Sequence, residues 1–259
     1  MGNGTSVDLA GDGLSTFGMI AGVTAGLIPR VDGQLFVPWY RSRVLNEGDP
    51  DCALRGLQAC KTSTGLGTIN LRIRGQLLDE LYGAPVSLTL GGELRQGQLT
   101  ADTRARLTAI GEGTADAGGF LAMGRSGGFG EGVWSASTEV GWRYRFKNTT
   151  TGAPGNEVFG DVELLAGPTP SWKVGLVGIG LLRPNGLDLG ETDFTDPERF
   201  VALRVRSVQV GGKLLLRNDR SWTVVLSGLR TVYAQNVPSD ELIISAGISM
   251  WQPAPAAEL

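Results

Sequence analysis

Between Val133 and Lys147 the sequence reads VWSASTEVGWRYRFK, and it alternates without a slip. Trp134, Ala136, Thr138, Val140, Trp142, Tyr144 and Phe146 fall on one side. Ser135, Ser137, Glu139, Gly141, Arg143, Arg145 and Lys147 fall on the other. A period of two is the signature of a β-strand, whose successive side chains point to opposite faces. The stretch is well beyond the ~5–6 residues of an ordinary strand. Its apolar face can meet a protein core or lipid, whereas its charged face must meet water or opposite charge. A barrel with lipid outside and a wet lumen inside satisfies both faces together.

The pattern recurs along the chain. Strands are expected at 15–28, 34–44, 65–78, 86–95, 118–124, 133–147, 157–166, 172–182, 201–217, 221–233 and 241–250. Pro38 interrupts the second of these, and a one-residue slip near Ser207 suggests a bulge in the ninth. A twelfth, weaker strand lies near Val7–Ala10, so that residues 1–14 are either a frayed first strand or a mobile N-terminus. About twelve strands is an even number, as bacterial single-chain barrels have. Connections alternate in length: 79–85, 125–132, 167–171 and 218–220 are short, whereas 45–64, 98–114, 148–156, 183–198 and 234–240 are mostly longer. Short periplasmic turns and longer outer loops produce this rhythm in outer-membrane barrels. Trp134, Trp172 and Trp222 each follow a short turn and Trp251 ends the last strand, which predicts an interfacial girdle at the turn end.

Composition narrows the alternatives. No run approaches the ~18 consecutive apolar residues of a spanning helix. Hydrophobic residues at 41% and charged residues at 19% exclude a disordered chain, and a net charge of −3 lacks a nucleic-acid footprint. Forty glycines among 259 residues suit closely approaching strands. Met1-Gly2-Asn3-Gly4 has neither a basic n-region nor an apolar h-region, so no signal peptide is read here and an exported protein would be the mature form. Cys52 and Cys60 share one loop and suggest a disulfide made in an oxidising compartment, two free thiols being the other reading.

The chain contains no histidine, which removes Ser-His and Cys-His nucleophilic machinery. Gly124-Arg125-Ser126-Gly127-Gly128 matches G-x-S-x-G in letters, but it lacks the following helix and the partner base. Gly175, Gly178 and Gly180 sit inside a strand with no helix after them, which excludes a dinucleotide fingerprint. The acidic stretches Glu47–Asp51 and Asp188–Glu198 could hold a hard cation, but solvated carboxylates are the plainer reading. No catalytic residue, metal or cofactor is expected. The residues expected to line a lumen and touch a solute are Arg72, Arg74, Glu93, Arg95, Glu139, Arg143, Arg145, Glu157, Asp161, Glu163, Arg204 and Arg206. Glu157, Asp161 and Glu163 should pair with Arg143, Arg145 and Lys147 on the preceding strand. Mixed signs argue against a strongly ion-selective pore.

Thr62 to Leu78, TSTGLGTINLRIRGQLL, resembles the GLGD-type strand of bacterial outer-membrane proteins grouped as the meta-pathway of phenol degradation family. The later Gly-rich hairpins, including WSASTEVGWRYRF and ELIISAGISM, are similar in layout over most of the chain. The resemblance implies a transporter-like barrel of about twelve strands that passes small, often hydrophobic or aromatic molecules. It assigns no functional residues.

The expectation is therefore one all-β domain over 1–259, an antiparallel transmembrane up-and-down β-barrel with a tail at 252–259. Its partners would be the lipid bilayer of a bacterial outer membrane and a small-molecule solute, with oligomeric state open and nucleic acid excluded. The other class in play is a structural or adhesive barrel with a closed lumen and partner-binding surface loops.

Overall fold

The alternation at 133–147 becomes one fourteen-residue strand, and its neighbours follow the same rule. A computed structural model describes residues 14–44, 62–97, 114–146, 155–186, 204–218, 222–235 and 242–250. In it the described residues form twelve strands: β1 Leu14–Ile28, β2 Val31–Val44, β3 Ser63–Leu66, β4 Ile69–Leu78, β5 Ser87–Gln96 and β6 Ala115–Phe129. They continue with β7 Gly132–Arg145, β8 Glu157–Thr169, β9 Trp172–Arg183, β10 Val205–Arg217, β11 Trp222–Gln235 and β12 Leu242–Met250. All pairings are antiparallel within one curled sheet, a half-barrel in the order β1-β2-β4-β5-β6-β7-β8-β9-β10-β11-β12, with β3 also on β2. The all-β antiparallel architecture is the expected one. The strand expected near Val7 and the tail at 252–259 lie outside the described residues.

β3 and β4 lie end to end along β2, so the twelve described strands make eleven rows. The break at Gly67–Thr68 falls opposite Val37 and Pro38, where β2 lacks one N–H donor. Gly67 N instead donates to Pro38 O at 2.9 Å. An odd number of rows has a topological consequence. The edge strands β1 and β12 both run from the loop end to the turn end, so they cannot pair antiparallel with each other. One further strand antiparallel to both would restore the even count of a closed barrel.

Two of the turns expected at the short-loop end, 125–132 and 167–171, are tighter than expected. Residues 125–129 continue β6 against β7 until Phe129 faces Gly132, leaving only Gly130 and Glu131 as the turn. Gly130 supplies the left-handed conformation there, at φ 58°. The glycines at 127 and 128 are strand positions. A Cβ at Gly127 would meet the Trp134 indole, so the glycine makes room for that ring. Between β4 and β5, a short 3-10 helix over Glu80–Tyr82 is capped by Asp79, whose carboxylate accepts Leu81 N–H at 2.9 Å.

Burial is inverted relative to a water-soluble protein. Among the described residues the buried hydrophobic ones are Phe120, Leu165, Val205 and Leu229, whereas eleven polar or charged residues are buried. Trp142, Val140, Leu176 and Val174 are exposed on the opposite, convex face. Soluble domains bury Arg, Glu and Asp rarely and expose contiguous apolar surface sparingly.

Two aromatic belts bound this apolar face. Trp134, Trp172 and Trp222 open β7, β9 and β11 at the turn end, where the girdle was expected; Trp251 lies outside the described residues. A second belt, not anticipated from the sequence, holds Phe17, Trp39, Trp142, Tyr144, Phe146 and Tyr233 at the loop end. Phe17 meets Trp39 edge-on at 6.4 Å between ring centres, and Tyr144 meets Phe146 at 5.1 Å. Trp134 and Tyr144 are ten residues apart on β7. At ~3.3 Å per residue and ~40° of tilt, that is ~25 Å of height, the thickness of the apolar band of an outer-membrane barrel.

Candidate functional site: the charged concave wall

The concave face carries a charged wall whose rows follow from the register. Cross-strand neighbours place Gln34, Arg72, Glu93, Gly118, Arg143 and Glu157 in one row across β2, β4, β5, β6, β7 and β8. Charges alternate along it, with a glycine at the one gap. Arg143 leans across Gly118, with its Cγ near the position a Cβ would take, and donates to Glu93 on β5 and to Glu157 on β8. Arg183 at the end of β9 donates to the other Glu157 oxygen at 2.8 Å. Arg95 on β5 lies 3.7 Å from Glu157 and 3.8 Å from Asp116. Glu157 is thus shared by three guanidiniums and is only 2% exposed.

The adjacent row alternates glycine and phenylalanine: Gly91, Phe120, Gly141, Phe159. Each ring occupies the space that a Cβ on the neighbouring glycine would fill. The guanidiniums of the charged row stack on these rings, Arg72 at 3.8 Å from the Phe120 centroid and Arg143 at 4.1 Å from that of Phe159. Flat rings hold flat cations, which fixes the direction of each guanidinium before any carboxylate is reached. Replacing Gly141 by Val should displace Phe159 and cost about 1–3 kcal/mol. Gly180→Ala, whose Cβ would find no heavy atom closer than 4.0 Å, should be near neutral. The temperature at which the folded band is lost in SDS measures both.

Several pairs are chords across the concavity. Arg72 on β4 reaches Glu139 on β7 at 2.5 Å, although three strand spacings amount to ~14 Å along a flat sheet. Lys213 on β10 pairs with Glu163 on β8. Nearer the turn end Arg74 grips Asp32 with both ends of its fork, 2.9 Å each.

Ten of the expected lumen residues, Arg72, Arg74, Glu93, Arg95, Glu139, Arg143, Arg145, Glu157, Asp161 and Glu163, stand on this face. The expected pairing of the β8 carboxylates with the preceding strand holds for Glu157 and Arg143. Glu163 instead turns to Lys213, and Arg145 faces Asp116 at 3.5 Å and Thr114 at 3.3 Å. Lys147 lies outside the described residues, as do Cys52, Cys60 and the acidic stretches 47–51 and 188–198. Arg204 sits just before β10, half-buried.

Arg206 is a correction. β10 pairs with β9 without interruption from Val205 to Leu216, so the expected slip near Ser207 does not occur there. The shift lies in β11, where Val232 is skipped between Thr231 and Tyr233. Val205 is therefore the buried, inward residue, and Arg206 points outward with Val208 and Val210.

Asp116, Arg183, Lys213, Asp32 and the two phenylalanines were not anticipated. Arg183 was assigned to a loop and Asp116 fell between the 98–114 loop and the strand expected from 118, yet each continues the inward parity of the adjoining strand. That parity, carried past the last apolar residue, was the available signal. Among the described residues no group of His, Cys, Asp and Glu is arranged to hold a metal ion.

No protein-family model matches the sequence, and no curated protein matches it. Among solved structures, an outer membrane channel from Pseudomonas putida F1 is similar, with a TM-score of 0.69 and 13% identity. The likeness covers 92% of this chain and 85% of that one. At that identity it speaks to fold: this all-β antiparallel sheet has the architecture of an outer-membrane channel.

Proposed function

We propose that the protein spans a bacterial outer membrane as a non-catalytic channel for passive passage of small molecules. The observation that carries this is the inversion of burial, with charge on the concave face and apolar residues on the convex one between two aromatic belts. The fold shared with a known outer membrane channel and the resemblance of Thr62–Leu78 to the phenol-degradation family support it.

The lumen wall has two sides of different character. From β4 to β10 it carries the alternating charges. On β11, β12 and β1 the inward positions include Thr223, Val225, Ser227, Leu229, Ile243, Ser245, Gly247, Thr24 and Gly22, and all the described ones are uncharged. A small solute of low charge, including an aromatic one, finds its path along this second side, away from the paired ions.

Extracted in detergent, the full chain should run as a faster band when unboiled than when boiled in SDS. In a planar bilayer it should give discrete single-channel currents with weak ion selectivity, since the wall's acids and bases are interleaved. The chords that cross the concavity favour one other reading, a closed barrel whose loops bind a partner. A heat-modifiable band with a silent bilayer would select it. A protein soluble without detergent would sink both.

A further inference from the structure

Among the described strand residues, exposed outward-facing charge has one sign. Every described strand carboxylate, Asp32, Glu93, Asp116, Glu139, Glu157, Asp161 and Glu163, stands on the concave face. Among the described residues, the charged side chains exposed on the convex face are Arg41, Arg125, Arg206 and Arg230. Three of these four lie toward the loop end. Arg206 and Arg230 are on adjacent strands, Arg230 opposite Val210 and four residues along β10 from Arg206.

Beside them the convex face is dented. Gly160 on β8 and Gly180 on β9 are direct cross-strand neighbours, so two adjacent side chains are missing from the same row. Val140, Leu182, Val208 and Tyr233 border the resulting groove of about 330 Å³, and Arg206 closes its loop-end rim. Tyr233 belongs to the loop-end belt, which sets the rim at headgroup depth. Among the described residues Arg206 and Arg230 have no carboxylate within ion-pair distance.

We propose that this place binds one anionic, phosphate-bearing acyl lipid, with an acyl chain in the Gly160–Gly180 groove and the headgroup on Arg206 and Arg230. The groove supplies an apolar trough that a hydrocarbon tail fills without displacing protein. The two guanidiniums supply donors whose fork suits phosphate oxygens. Among the described residues no strand carboxylate faces outward to repel the headgroup. The proposal rests on the membrane reading above, because it takes the convex face as the lipid side.

The test is native mass spectrometry of the detergent-solubilised full chain, titrated with phosphatidylglycerol or with zwitterionic phosphatidylcholine. Phosphatidylglycerol should be retained in preference. The double variant Arg206→Gln/Arg230→Gln should lower phosphatidylglycerol retention about tenfold, to the level of phosphatidylcholine. Arg125→Gln, at the turn end of the same face, should change nothing. Gly180→Leu should reduce retention of both lipids, since its Cβ has room and its side chain fills the groove. Each variant must keep the heat-modifiable band, so that lost lipid is not lost fold. Equal retention of the two lipids overturns the proposal, as does a double variant that behaves like Arg125→Gln or a Gly180→Leu protein that binds as before. Absence of the heat-modifiable band in the unaltered chain would instead overturn the membrane reading, and the lipid site with it.

Discussion

Leu176→Arg should destabilise the membrane-inserted protein by about 2–4 kcal/mol, while Val177→Arg, one residue on, should cost far less. Leu176 is 68% exposed on β9, four residues from Trp172 at the turn-end belt, and so stands near the middle of the apolar band. A guanidinium there has hydrocarbon for solvent. Val177 points the other way and is the register neighbour of Glu163, so an arginine at 177 gains a carboxylate. A single step along a strand reverses the face, so the two variants place the same guanidinium on opposite sides of one sheet. Denaturant unfolding in lipid vesicles measures the pair. In a water-soluble protein a residue as open as Leu176 would accept arginine within about 0.5 kcal/mol, and that result would remove the membrane reading.

The face assignments were legible because alternation is local. Most positions between 134 and 145 state their side by type alone, Thr138 and Gly141 being exceptions, and pairing with β6 and β8 agrees. Strand ends were less legible. Asp116 and Arg183 are polar residues at the loop end, where a strand's last inward charges and a loop's first ones have the same composition. The glycines of 124–132 looked like a turn because glycine is common in turns. Here Gly127 and Gly132 serve instead to admit the Trp134 and Phe129 rings.

Arg206 shows a different limit. An insertion of one residue has to be placed in one of two paired strands, and the sequence of either strand alone cannot say which. The apolar pair Val205 and Val208 is out of phase, which suggested a slip between them. The register shows that Val205 is an apolar residue facing inward, and that the extra residue is Val232 on the partner strand. The charge network has the same origin. Each member was visible as a lumen residue, but which acid meets which base depends on curl. Arg72 finding Glu139 three strands away, rather than Glu93 beside it alone, is a property of the concavity.

Removing the charge of Glu157 should produce the largest change at the wall. Glu157→Gln keeps the shape of the side chain but leaves Arg143, Arg183 and Arg95 without their shared anion. Breaking one partner out of a buried ion cluster costs about 3–5 kcal/mol. The lower end is expected here, because Arg143 keeps Glu93 and Arg95 keeps Asp116. The folded band should therefore disappear in SDS at a distinctly lower temperature. If the ions act as a unit, Arg143→Leu with Glu157→Leu should be less harmful than the sum of the single changes, since neither partner of that pair is then left facing an empty place. The same substitution has an electrical reading. One carboxylate fewer among interleaved charges makes the loop-end wall more positive, so the reversal potential in a salt gradient should move toward anion preference. Glu80→Gln, a surface carboxylate that accepts only from Ser126 at the turn end, should move neither the melting nor the potential by a comparable amount. A Glu157→Gln protein that melted and conducted like the unaltered chain would mean that the carboxylate contributes no more to the wall than the turn-end one does.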